Sequence, residues 1–231
     1  YRVVEIAASA FCSCSIDSIT LPEGLVTIGN RAFDYCTNLR FVDMPDTVND
    51  LRHGAFAGCS NLRYVKLSEN VRLMRNDLFY ECTQLQTVLL GSQIKNVGSD
   101  AFAKCENLRT IYLPETVKKI GDGAFSGCRS LKEVRIPDSV HILDMSAFDG
   151  CYEMNIILRS NMTSERYPDG VFHAHPEFHI IKKESIGLIE AQGLFILPGR
   201  LVAQLAQVEE LIVNQQPLTA ELAEFKDVYD E

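Results

Sequence analysis

Apolar and polar positions along the first two-thirds of the chain recur with a period of 23 residues. Leu39, Leu62, Leu85, Leu108 and Leu131 are each followed three residues later by Val42, Val65, Val88, Ile111 or Val134. Two further on stand Met44, Leu67, Leu90, Leu113 and Ile136. Residues two apart face one side of an extended chain, so each Leu-x-x-Val-x-Leu run predicts a short strand. Pro22, Pro45, Pro114 and Pro137 close four of these runs, where a missing amide ends the pairing. The stretch that follows, as from Val117 to Phe125, turns the chain back with Gly121 and Gly123 and predicts a short helical turn.

A second signature keeps the same period. Phe11, Phe33, Phe56, Phe79, Phe102, Phe125 and Phe148 each stand three residues before Cys14, Cys36, Cys59, Cys82, Cys105, Cys128 or Cys151. Alanine precedes each phenylalanine except Phe79, where Leu78 takes the place. The cysteines fall every 23 residues, with a first step of 22, and only Cys12 lies off the ladder. Disulfide frameworks and metal sites use uneven or short spacings, whereas evenly spaced single cysteines mark a repeat.

One 23-residue unit buries about seven apolar side chains at ~1.5–3 kcal/mol each, against ~1–2 kcal/mol per residue of backbone entropy. It cannot stand alone and needs neighbours stacked about 4.8 Å away. These motifs resemble the BspA-like, cysteine-bearing 23-residue class of leucine-rich repeat. The resemblance covers 1–151, about seven repeats. It implies an α/β class solenoid, right-handed, with a parallel sheet on one face, and a binding or adhesion surface rather than catalysis.

Composition narrows the function classes. The 231 residues carry a formal charge of −9, which argues against nucleic acid as the main partner. No run approaches the ~18 apolar residues of a membrane span, and no signal segment is visible from Tyr1 onward. Residues 1–151 hold 16 Lys and Arg against 18 Asp and Glu, while 152–231 hold 6 against 13, so most of the negative charge sits in the tail.

Residues flanking the central strand valine point away from the core. One outward column is Ser18, Phe41, Tyr64, Thr87, Thr110 and Glu133. The next is Thr20, Asp43, Lys66, Leu89, Tyr112 and Arg135. Arg40, Arg63, Gln86, Arg109 and Lys132 form a third, mostly basic, column. Phe41, Tyr64, Lys66, Tyr112, Arg135, Arg40, Arg63 and Arg109 are therefore the candidate ligand-binding residues, aromatic and arginine side chains being enriched at interface hot spots. A sheet also tolerates aromatic residues on its open face without any partner. The cysteine column reads as small buried hydrophobes with a weak donor, or as a row of disulfide or metal ligands, for which parallel side chains are poor geometry. Cys12 is the candidate exposed thiol.

After Cys151 the unit fails. Met154 and Ile157 still suit one more strand, but Arg159 holds an expected apolar position. Residues 152–231 predict a small α/β segment. Ile156–Leu158, Phe178–Ile181, Ile186–Ile189 and Leu194–Leu197 are its strands. A helix follows Pro198-Gly199 with Leu201, Leu205, Val208 and Ile212 on one face, and Thr219 caps a second with Leu222, Phe225 and Tyr229.

The runs Asn155–Asn161, Tyr167–Pro176, His179–Glu190 and Gly193–Leu201 resemble the second class of galactose-1-phosphate uridylyltransferase, in a late portion of that enzyme. The resemblance implies ping-pong transfer of a uridylyl group between UDP-glucose and galactose 1-phosphate. The family nucleophile is a histidine in a His-x-His-x-Gln motif. Here the one His-x-His, at His173 and His175, is followed by Pro176-Glu177, so no catalytic residue is assigned. His173 and His175 instead resemble a metal-binding His-x-His, and in a strand both imidazoles face one ion, zinc or iron. Lys183 and Glu190 resemble positions near the sugar-phosphate site.

Two functions follow as expectations. One is a non-catalytic repeat module (1–151) that binds protein or glycan through its sheet face, joined to a partial uridylyltransferase segment (152–231). The other is part of a working uridylyltransferase that carries a repeat insertion and uses a UDP-sugar only with further sequence upstream. The enzyme-like tail points to the cytoplasm, and the repeat family's habit to the cell surface.

Overall fold

The structure is a computed structural model that describes residues 2–144, 146–152, 154–158 and 179–182. The coils belong to a unit spanning Tyr1–Lys182. Each coil visits two ladders of parallel strands. The longer strands are the ones read from the Leu-x-x-Val-x-Leu runs: β3 (Phe41–Asp43), β5 (Tyr64–Lys66), β7 (Thr87–Leu89), β9 (Thr110–Ile111) and β11 (Glu133–Ile136). Their outward, inward, outward alternation places Val42, Val65, Val88, Ile111 and Val134 in the core. Pairing is parallel at one coil per step, with Phe41 opposite Tyr64 and Tyr64 opposite Thr87, and the strands hydrogen-bond in the groups β3-β5-β7 and β9-β11.

The same ladder continues past the last cysteine. β13 (Asn155–Leu158) pairs with β11 at an offset of 22 residues, Val134 opposite Ile156. β14 (His179–Lys182) pairs with β13 at an offset of 24, Ile156 opposite Ile180. Two predicted tail strands are thus present, and they stack on the solenoid. The remaining predicted tail strands and both tail helices lie outside the described residues, as do His173, His175, Lys183 and Glu190.

A second ladder was not anticipated. It is built from two-residue strands: β1 (Glu5–Ile6), β2 (Thr27–Ile28), β4 (Asp50–Leu51), β6 (Leu73–Met74), β8 (Asn96–Val97), β10 (Lys119–Ile120) and β12 (Ile142–Leu143). All its pairs are parallel, in the groups β1-β2-β4 and β6-β8-β10-β12. The second residue of each strand is buried.

The Ala-Phe-x-x-Cys corner holds successive turns instead of the expected helical turn. Alternate amides have alternate destinations. Ala32, Asp34 and Cys36 N–H donate three residues back, to Gly29, Arg31 and Phe33. Arg31, Phe33 and Tyr35 N–H instead donate to His53, Ala55 and Ala57 of the next coil. A helix would spend all its amides within the coil, whereas this path stitches neighbours together. It requires left-handed backbone at Arg31 and Tyr35, φ +53° and +55°.

Inside that corner the rings of Phe11, Phe33, Phe56, Phe79, Phe102, Phe125 and Phe148 stack, with centroids 5.1 to 5.8 Å apart. Beside them the six ladder thiols from Cys36 to Cys151 each donate to the phenylalanine carbonyl of the preceding coil, as from Cys59 Sγ to Phe33 (3.1 Å) and from Cys151 Sγ to Phe125 (3.1 Å). The Phe33 carbonyl also accepts from Cys36 N–H, so both its lone pairs are used. All eight cysteines are free. The column is a structural one, as the hydrophobe-with-donor reading expected.

Two predictions follow from this packing. A Cβ on Gly98 would lie 2.7 Å from the backbone of Met74 and Arg75, whereas one on Gly54 would meet side chains alone, Arg31 at 3.3 Å and Ala57 at 3.8 Å. Gly98→Ala is expected to cost at least the ~1–3 kcal/mol typical of overpacking. Gly54→Ala, whose cost is the ~1–2 kcal/mol of left-handed backbone, is expected to cost less. Guanidinium unfolding of the two variants checks the order.

Burial raises the thiols of Cys36, Cys59, Cys82, Cys105 and Cys128, and pushes Cys151 up to about 12. At neutral pH a thiol reagent should therefore read Cys12, which is exposed, with at most half-buried Cys14, and all eight only after denaturation. The unfolded chain releases these protons from about pH 8.5, while the folded chain retains them. Stability is therefore whole below that pH and falls as pH rises through the folded values. Melts between pH 7 and 11 should show that fall, and a flat profile would contradict it.

Candidate binding face on the longer ladder

The outward residues of β3, β5, β7, β9 and β11 form the face on which the candidate residues fall. Parallel pairing at one coil per step places like positions in columns about 4.8 Å apart. Phe41 is 55% exposed and directly opposite the partly covered Tyr64. Leu89, 48% exposed, and Tyr112, 64% exposed, occupy the next outward column. Three large apolar side chains thus stand open on one face, where scattered singletons would call for no explanation.

The charged candidates divide by partner. Lys66 Nζ lies 3.2 Å from Asp43 Oδ1, and that contact raises its pKa. Both side chains are exposed, so the pair contributes little to stability. Arg135 is mostly covered, with 18% of its side chain exposed, and its guanidinium lies 3.7 Å from Glu115. In the first outward column burial raises the pKa of the half-covered Glu133. Arg40, Arg63 and Arg109 are exposed at the strand entrances.

Arg40 and Arg63 come together on a groove of about 580 Å³, completed by Ser15, Asp17, Asn38 and Asn61. Asn61 is held from below, its Nδ2 donating to the Thr37 carbonyl (2.7 Å), and Asn107 repeats the bond to Thr83 (3.0 Å). The groove residues Asn38, Asn61 and Asp17 were missed by sequence reasoning. The signal for Asn38 and Asn61 was the polar residue before each ladder leucine, repeated as Gln84, Asn107 and Ser130, whereas Asp17 sits in the column of Arg40 and Arg63. The face therefore combines an apolar patch with a guanidinium-lined polar groove at its edge. Among the described residues no three His, Cys, Asp or Glu side chains converge on a metal position, and no helix is long and apolar enough to cross a membrane.

Comparison with known proteins places this geometry. A leucine-rich repeat protein from Bacteroides ovatus superposes with a TM-score of 0.67 at 27% identity, covering 77% of this chain and 45% of that one. The Treponema pallidum leucine-rich repeat protein superposes with a TM-score of 0.51 at 26% identity, covering 68% and 81%. Separately, the galactose-1-phosphate uridylyltransferase of Bifidobacterium longum is 60% identical over 74 residues, 32% of this chain and 14% of that enzyme. The enzyme of Lactococcus lactis IL1403 is 55% identical over 71 residues, 31% and 14%. The chain thus spans about a seventh of the length of these curated relatives. The BspA type leucine-rich repeat region matches residues 4–121 and 95–185 in six copies. With the 23-residue coils, the stacked Phe–Cys corner and these matches in agreement, the chain belongs to the BspA type leucine-rich repeat family.

Proposed function

We propose that the outward face of the longer ladder is a protein-recognition surface. The observation that carries this reading is the exposure of Phe41, Leu89 and Tyr112 along one outward face, with the groove that Arg40 and Arg63 line at its edge. Exposed aromatic anchors supply area at low entropy cost, and guanidinium groups at the rim give orientation through paired hydrogen bonds. The matching partner presents apolar side chains flanked by carboxylates. A neutral glycan is the other ligand class for such a face, and glycan-array screening separates the two.

Partners retained by the full chain in a pull-down are expected to be released by the double change Tyr64→Ala with Tyr112→Ala. A loss of at least tenfold in affinity is expected, since hot-spot truncations cost about 2 kcal/mol or more. Unchanged retention of every partner would place the site elsewhere.

A second reading rests on the 60% identity to a uridylyltransferase. In it the tail is a working part of a nucleotidyl-transferring enzyme, Lys183 and Glu190 lie near the sugar phosphate, and His173 and His175 hold zinc or iron. Two imidazoles two residues apart suit either ion but leave at least two coordination positions to other groups. The nucleophilic His-x-His-x-Gln motif does not occur in the 231 residues. Incubation with UDP-glucose labelled in the uridylyl group is accordingly expected to leave no acid-labile label on this chain. A labelled histidine would overturn the binding-only reading.

A further inference from the structure

The shorter ladder carries a column of basic side chains that the face described above does not use. The position before each two-residue strand is Arg72, Lys95, Lys118 and His141 in four successive coils, and all four are exposed. Their backbones are stitched directly together. Lys95 N–H donates to the Arg72 carbonyl (2.8 Å), Lys118 to Lys95 (2.7 Å) and His141 to Lys118 (3.0 Å). The side chains therefore leave the surface at one coil pitch and span about 14 Å along the axis. Exposed Lys119 adds a further charge beside Lys118.

The two columns that flank this row carry no carboxylate, and of the acidic residues in the next column out, Glu69 accepts from Ser92 (2.8 Å) and Glu115 faces Arg135 (3.7 Å). On one side stand Asn70, Gln93, Thr116 and Ser139, and on the other Leu73, Asn96, Lys119 and Ile142. Among the described residues none of Arg72, Lys95, Lys118 or Lys119 joins an ion pair. By contrast Arg52, one coil earlier and just after its strand, is paired with Asp50 at 3.0 Å. Like charges fixed at a constant interval, none of them held in an ion pair, are a template for an extended polyanion whose charges recur at a similar interval.

We propose that this column binds a linear anionic polysaccharide, one bearing a carboxylate or sulfate on successive sugars. A pyranose in an extended glycan advances by close to one coil pitch, so one acidic group per sugar meets one cation per coil. Single-stranded nucleic acid fits less well, because its bases need aromatic rings beside the cations. No aromatic side chain lies in this column or its two flanking columns, apart from the imidazole of His141.

The test uses the full chain and four probes: a heparin octasaccharide, an oligogalacturonate, neutral dextran and oligo(dT) of matched charge. Calorimetry is expected to show binding of the two acidic glycans and none of dextran. Lys95→Gln with Lys118→Gln is expected to weaken glycan binding at least tenfold and to lower the salt slope by about two, one per lysine. Both side chains are exposed, so an unchanged melting curve confirms that folding is intact. Arg40→Gln with Arg63→Gln is expected to leave glycan binding unchanged, which keeps this test independent of the longer-ladder face. The proposal is overturned if neither acidic glycan binds. It is equally overturned if the lysine changes have no effect, if the arginine changes cause the loss, or if oligo(dT) binds as tightly as the glycans.

Discussion

The constraint on which this molecule depends is a constant coil pitch. Parallel backbone hydrogen bonds hold neighbouring coils about 4.8 Å apart, and every side-chain column must fit that interval. Flat rings satisfy it by stacking offset, as the phenylalanines do at 5.1 to 5.8 Å. A thiol satisfies it by reaching back one coil to a carbonyl that the local turn leaves with one lone pair open. Alanine would leave that lone pair unmet in a buried corner, and a larger apolar side chain would overfill it. The identity of the cysteine is thus a solution to packing and hydrogen bonding together, and its high pKa is a by-product of the same burial.

The pitch also explains why the corner is not helical. A helical turn would direct its amides along its own axis and leave the neighbouring coil without partners. Alternating the amides between the coil and its neighbour satisfies both, at the cost of left-handed residues such as Arg31, Asp77 and Asp100 where other coils place Gly54 or Gly123. The glycines at Gly98 and Gly121 meet a different demand, since backbone of the preceding coil passes within 3 Å of where a Cβ would stand.

Much of this was legible from the sequence because a repeat writes each packing requirement many times. The longer strands, the buried Phe–Cys corner and the outward columns with Phe41 and Tyr112 followed from period alone. The shorter ladder did not, because a two-residue strand such as Leu73–Met74 carries too little alternation to be read between turns. Nor did the covering of Arg135, which depends on Glu115 from the preceding coil approaching in space. Nor did the place of Asn61, which is fixed at the groove by a bond to Thr37, 24 residues away. The cation column of Arg72, Lys95 and Lys118 was present in the sequence, but only the shorter ladder shows that its members share one face.

The pairing of β13 and β14 with offsets of 22 and 24 residues carries a wider implication. Their sequences resemble a uridylyltransferase, yet their backbones join the solenoid ladder in phase, and one residue fewer or more is absorbed between strands. The growing end of a parallel stack selects for extended backbone at the right interval and is nearly indifferent to lineage. Such an end is a permissive rung, which demands geometry of the next segment and little else of its sequence.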